Sequence, residues 1–187
     1  QSGPALAGPV VKLLLVMALY ANNGRELSPH HGFAAHTNVI RPVSRGSVRL
    51  ASANPLDAPL IDQNYLASAD DWRIARAAVR TAREVFAQKA FDALRGEELE
   101  PGPGIRSDAE IDAFIRARAE ADYHSVGTCR TGQDELAVVD ERLRVRGLDG
   151  LRVVDASVIP HMIGGNTGMP VIMIAEKAAD MIRNHQG

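Results

Sequence analysis

Three stretches in the last third of the chain leave little freedom in how it can fold locally. Tyr123-His124-Ser125-Val126-Gly127-Thr128-Cys129-Arg130 is a histidine-bearing loop broken by glycine. Leu151-Arg152-Val153-Val154-Asp155-Ala156-Ser157 is a short apolar run that ends on a carboxylate. Gly164-Gly165-Asn166-Thr167-Gly168-Met169-Pro170 is a glycine-rich turn that opens into an alanine-rich, apolar helix over Pro170 to Arg183. The pattern predicts a buried strand over Leu151 to Val154, then a turn, then a helix with Asn166 and Thr167 near its cap position. Polar groups at such junctions sit at a sheet edge, where Asp155 can serve as a turn former or reach a ligand.

Upstream, Ser68 to Gln88 is the clearest helix. Ser68 caps it, Asp70 and Asp71 favour the positive end of its dipole, and Trp72, Ala75, Val79, Ala82 and Phe86 form one apolar stripe. Arg76, Arg80, Arg83 and Glu84 lie opposite and read as a solvated face. Pro101-Gly102-Pro103-Gly104 is a loop. Ser107-Asp108-Ala109-Glu110 is a capping box, opening a helix with the stripe Ile111, Phe114, Ile115 and Ala119. Phe33 to Ile40 and Ser47 to Leu50 alternate as strands around the Ser44-Arg45-Gly46 turn, which predicts a hairpin. Asn54-Pro55 and Ala58-Pro59 force a turn-rich path to Tyr65. Ala137 to Asp140 and Leu143 to Val145 are short strand candidates. Pro4 to Gly8 reads as a loop and Asn22-Asn23-Gly24 as a turn.

Size and composition bound the function classes. A chain of 187 residues, 45% hydrophobic and 24% charged, suits a globular domain or a piece of a larger one. A net charge of -2 gives no reason to expect nucleic acid or an anionic membrane as partner, and 4% aromatics supply no base-stacking platform. The run Val10 to Tyr20, interrupted by Lys12, is apolar nearly all round and is expected to be buried or packed against something outside this chain. It is too short for a membrane span, which needs about 20 residues. No initiator Met and no basic segment precede it, so the chain reads as a fragment or a processed chain. The single cysteine, Cys129, rules out an internal disulfide, reads as a buried small hydrophobe, and fits a cytoplasmic location.

His124 on its glycine loop could present a free ring, and imidazole titrates near neutrality, which suits proton transfer. Taken alone it could equally be a surface or packing residue. Asn166 alone could be no more than a helix cap. His30, His31 and His36 lack a recognisable zinc spacing, so no metal is expected. Ser125 and Ser157 lack the G-x-S-x-G turn of a hydrolase.

The motifs together resemble a known family. Tyr-His-x-Val-Gly-Thr-Cys-Arg precedes Ala-Val-Val-Asp-x-Arg-Leu-Arg-Val-x-Gly. Then come Gly-Leu-Arg-Val-Val-Asp-Ala-Ser-Val-Ile-Pro and Gly-Asn-Thr-x-x-Pro-x-x-Met-Ile-Ala-Glu-Lys-Ala-Ala-Asp. In this order they resemble the C-terminal part of the glucose–methanol–choline (GMC) flavin oxidoreductases, with choline dehydrogenase-like and pyridoxine oxidase-like members nearest. Arg41 to Leu50 resembles that family's substrate-domain hairpin, and the resemblance runs from about residue 33 to the end.

The resemblance implies an α+β fold: an antiparallel sheet with flanking helices over residues 1–137 as part of a substrate-binding domain. Residues 138–187 would follow as the C-terminal strand and helix completing a Rossmann-like FAD-binding domain. It implies oxidation of a small alcohol by hydride transfer to FAD. His124 would be the catalytic base and Asn166 the second active-site group. Tyr123, Asp155, Ala156, Asn166, Thr167 and Pro170 would lie along the flavin, and His36 would face the substrate side. A flavin-containing cyanohydrin lyase and a non-catalytic subunit stay open as alternatives. The family's G-x-G-x-x-G phosphate fingerprint does not occur in this sequence, and Arg130-Thr131-Gly132 stands where the family usually has Arg-Met-Gly. The FAD-phosphate site is therefore expected on a second polypeptide or on a missing N-terminal part.

Overall fold

The structure, a computed structural model, describes residues 9–21 and 26–184. The Pro4–Gly8 loop and the Asn22-Asn23-Gly24 turn expected from sequence lie outside those residues. The chain divides into two compact units, each interrupted in sequence. The first runs to Ser44 and resumes over Leu66–Glu120; the second comprises Arg45–Tyr65 and the chain from Ala121 onward. The architecture is small and mixed, with short antiparallel sheets and three α-helices.

In the first unit, β1 (Val11–Val16) and β2 (Tyr20–Ala21) precede β3 (Glu26–Leu27) and β4 (Ala34–Val39). β1 pairs antiparallel with β4, with Leu14 opposite His36, and β2 pairs with β3. The strand expected over Phe33 to Ile40 is thus present, but its partner is the apolar run and not the 47–50 segment. Leu14, Leu15 and Met17 on that run remain substantially exposed.

The 47–50 segment instead forms β5 (Ser47–Arg49) in the second unit, paired with β6 (Leu60–Asp62), a strand the sequence reading missed behind its two prolines. Gly46 makes this pairing possible. A Cβ there would lie 2.2 Å from the Asp62 carbonyl oxygen, so no larger residue fits without moving backbone.

The predicted helices are present as α1 (Ala69–Phe86) and α2 (Asp108–Arg118). Val79, Ile111 and Ile115 form a buried cluster between them, with Trp72, Ala75 and Phe114 packed around it. α1 is buried on more than the expected stripe. It also packs on β4 and β1, Ile74 and Ala78 are buried, and Phe86 meets Phe33 at a ring separation of 5.0 Å.

The arginine face of α1 is solvated only in part: Arg80 and Glu84 are exposed, whereas Arg76 and Arg83 are half-buried in ion pairs. Arg76 makes a two-pronged bond to Asp112 at 3.0 and 3.1 Å, and Arg80 pairs with Asp108. Arg83 binds Glu98 and the carbonyl oxygens of Gly102 and Ile105. A guanidinium holds five donors in a planar fork, so Arg83 can pin the whole 98–105 loop to the helix. Asp71, expected to act only on the helix dipole, is 1% exposed. It accepts the Val43 and Ser44 N–H groups at 2.9 Å each and the Ser44 hydroxyl, fixing the chain where it leaves β4.

Two stability predictions follow from these contacts. Asp71→Ala removes the acceptor of three part-buried donors and should cost about 3 kcal/mol, whereas Arg73→Ala, which breaks an exposed pair, should cost less than about 1 kcal/mol; urea unfolding of the two variants compares them. In the α2 capping box the N–H groups of Arg106 and then Ser107 draw the Glu110 carboxyl down from 4.5 to about 2. A lowered folded-state value means stabilisation present above the unfolded value and lost as pH falls through the folded one. Glu110→Gln should therefore flatten the acid limb of a stability–pH curve between about 4.5 and 2, with little change in the shape of the curve above that window.

Candidate active site: a histidine held between two residues of one helix start

All of the site's main residues belong to the second unit. Its floor is a bridged meander in place of the strands expected from sequence. Thr131 bridges Val139 in parallel, Val139 bridges Val145 antiparallel, and Arg144 bridges Arg152. Among the described residues of this unit, Ala137, Val139, Val158, Ile159 and Ala178 are the buried apolar ones. The buried strand expected over Leu151 to Val154 reduces to the single bridge at Arg152, and Leu151 is half exposed. Arg130 closes the meander by bonding both oxygens of Asp134, and its guanidinium holds that carboxyl well below the usual range.

The histidine loop is tied down by backbone bonds. The N–H groups of Gly127 and Cys129 both donate to the Ser157 carbonyl oxygen at 3.1 Å, and that of Thr131 donates to the Val158 carbonyl oxygen at 2.9 Å. Gly127 reaches this position with a φ of 94°, which costs a side-chain-bearing residue heavily. Ser157 and Val158 sit in a short 3₁₀ turn (Ala156–Val158) that Asp155 caps, its carboxylate accepting the Ser157 N–H at 2.7 Å. Cys129 is half-buried.

α3 (Gly168–Arg183) begins two residues before the expected start. Thr167 occupies its N-cap position but makes no capping bond, contrary to the cap role expected from sequence. A capping residue normally adopts extended backbone angles, and Thr167 has φ -86° and ψ -11°. Pro170, third in the helix, also supplies no side chain for a capping box. Proline there loses nothing, because the first turn's N–H groups have no partner within the helix.

The Thr167 side chain turns instead to His124. Its Oγ1 lies 2.9 Å from His124 Nδ1, and its backbone N–H points at the same nitrogen from 3.4 Å. The other ring nitrogen, Nε2, lies 2.8 Å from Asn166 Nδ2. Two consecutive residues thus hold both nitrogens of one imidazole from 42 and 43 positions away in sequence. Thr167 is buried, His124 half-buried and Asn166 exposed, so the pair opens outward on the Nε2 side.

The remaining residues singled out from sequence scatter around this point. Tyr123 precedes the histidine with a left-handed φ of 57° and is 87% exposed. Asp155 is exposed at its turn, and Ala156 and Pro170 are half-buried. His36 belongs to the first unit, where it stands exposed on β4 with Tyr20 edge-on to its ring. The sequence reading missed the Ser157 carbonyl that anchors the loop and the turn of Thr167 toward the histidine. The one available signal was Pro170, which rules out a capping box at Thr167.

A flavin would have to meet the outward side of this pair, and the residues there fit one. Beside Asn166, a Cβ added at Gly165 or Gly168 would meet nothing within 4 Å, which leaves the approach to the α3 amino end open. The groups offered are one amide donor and one imidazole, which can hydrogen-bond to the acceptor atoms on the edge of a flavin ring.

Comparison with known proteins is consistent in kind. The model of a family described as GMC oxidoreductase matches residues 42–175. The oxygen-dependent choline dehydrogenase of Burkholderia orbicola (strain MC0-3) is 53% identical over 164 residues, which is 88% of this chain and 29% of that protein. The chain therefore spans less than a third of the length of this relative. Pyridoxine 4-oxidase from Mesorbium loti superposes with a TM-score of 0.86 at 32% identity, over 97% of this chain and 36% of that one. Formate oxidase from Aspergillus oryzae RIB40 superposes with a TM-score of 0.82 at 30% identity, over 96% and 32%.

The geometry predicts that Gly127→Ala destabilises the second unit by about 1–2 kcal/mol, because alanine must be forced into the left-handed region to keep both bonds to Ser157. Denaturant unfolding of the variant measures it.

Proposed function

The chain belongs to the GMC oxidoreductase family, and on that premise we propose that it is the substrate-facing C-terminal part of an FAD-dependent enzyme oxidising a primary or secondary alcohol to a carbonyl. Residues 1–137 form part of the substrate-binding domain in this reading, and residues 138–187 complete the FAD-binding domain. The polypeptide carrying the FAD-phosphate site would pack on the apolar surface left open by Met169, Ile172 and Met173 of α3, each more than half exposed.

The observation that carries the reading is the 2.8 Å contact between His124 Nε2 and Asn166 Nδ2. It sets an acceptor and a donor face to face at an open edge. An alcohol hydroxyl is both donor and acceptor, so it can enter between them, giving its proton to Nε2 and accepting from the amide. FAD, when bound, supplies the two-electron acceptor for the hydride leaving the alcohol carbon.

His124 takes the hydroxyl proton at Nε2 as the C–O bond gains double-bond character, and such general-base assistance is worth about 10²–10⁴-fold. The Asn166 amide donates to the same oxygen, and that bond strengthens as negative charge grows on it. Oxidation is favoured over the lyase alternative by the names of the three relatives compared above, which denote a dehydrogenase and two oxidases. Tyr123, Asp155, Ala156, Thr167 and Pro170 stay assigned to the flavin side and His36 to the substrate side as parts of the same proposal.

In the flavin-loaded enzyme containing this chain, His124→Ala should slow anaerobic flavin reduction by about 10²–10⁴-fold and Asn166→Ala by about 10-fold or more. Stopped-flow absorbance reads both rates. Reduction of the His124→Ala flavin at the unaltered rate would remove the histidine from the chemistry.

A further inference from the structure

Resting on that reading, we propose that Thr167 is a positioning residue that places the proton of neutral His124 on Nδ1 and so keeps Nε2 free as the base. Neutral imidazole carries one N–H, and only its other nitrogen can accept a proton. Asn166 Nδ2 can only donate, so the 2.8 Å contact requires a lone pair on Nε2. The ring proton must then sit on Nδ1, where the Thr167 hydroxyl oxygen is 2.9 Å away to receive it.

One group opposes this assignment. The Thr167 backbone N–H also points at Nδ1, and it would prefer a lone pair there. Its distance of 3.4 Å lies outside the usual range of about 2.7–3.2 Å for such bonds; the Thr167 hydroxyl can accept or donate and fits either tautomer, so the 2.8 Å contact to Asn166, which lies inside the range, decides. The opposite tautomer would satisfy both Thr167 contacts, the hydroxyl then donating to Nδ1, but would turn the short contact to Asn166 into two donors facing each other. Relieving that clash requires turning the Asn166 amide over, which would leave Nε2 protonated and unable to act as a base.

Burial makes the Thr167 hydroxyl suited to the task. The residue is 6% exposed, and its hydroxyl has no capping duty on α3. An oxygen so placed cannot be replaced freely by water when the imidazole ring seeks a partner. Consecutive placement on one helix start also fixes the two contacts relative to each other, so the ring is oriented as well as protonated.

The test has two parts. In this chain labelled with ¹⁵N-histidine, with the His124 signals identified by comparison with His124→Gln, nitrogen shifts at a pH where the ring is neutral should show a protonated Nδ1 and an unprotonated Nε2. A protonated Nε2 in the unmodified chain overturns the proposal without any variant being made. In the flavin-loaded enzyme, Thr167→Val, which keeps the shape and removes the hydroxyl, should slow flavin reduction by about 10- to 100-fold, and Thr167→Ser should restore most of the rate. An unaltered rate and tautomer in Thr167→Val overturn the role given to Thr167. If His124→Ala abolishes reduction while Thr167→Val does not slow it, the base survives and only the positioning role falls. If His124→Ala leaves reduction intact, the proposed function falls first.

Discussion

The site depends on one imidazole held at both nitrogens. A histidine on a loop can turn about two side-chain bonds, and its ring must be stopped from turning before it can do directed proton chemistry. Asn166 and Thr167 stop it from opposite sides, and because they are neighbours at one helix start they cannot drift apart. Several backbone contacts of the second unit hold the histidine loop in place. Asp155 caps the turn that presents Ser157, and the Ser157 carbonyl takes two N–H groups of the histidine loop. Gly127 supplies the one backbone conformation that lets both bonds form. A chain of modest local interactions thus converts two distant sequence motifs into a single polar edge.

The same economy is visible in the first unit, where charged side chains organise the joints. Asp71 holds the exit from β4, and Arg83 gathers the 98–105 loop. Each is a long or branched polar side chain satisfying several backbone groups at once, which replaces secondary structure where the chain is irregular. Apolar packing alone would not fix such loops, since their backbone groups must find partners.

The sequence made the helices legible because their signals are local. Ser68, Ser107 and Glu110 act within one turn, and the stripes of α1 and α2 repeat within the helix itself. What depends on distant partners was misread. The strand over Ser47 to Arg49 was visible, yet its pairing with β6 was hidden behind Pro55 and Pro59, and β4 found the apolar run instead. The arginines of α1 looked solvated because their acids sit on α2 and in the loop before it. Leu151 to Val154 looked like a buried strand because three apolar residues in four cannot reveal whether another strand lies alongside. At the site, the motif order pointed to His124 and Asn166 together, but nothing in the sequence turned Thr167 away from capping and toward the ring. That depends on its helical backbone angles.

The most direct test of this account is a crystal structure of the flavin-loaded enzyme with a non-reactive alcohol analogue bound. The account requires the analogue's hydroxyl oxygen to lie within about 2.6–3.2 Å of both His124 Nε2 and the Asn166 amide nitrogen, having displaced their contact with each other. A hydroxyl bound elsewhere, with the imidazole and the amide still joined, would contradict it.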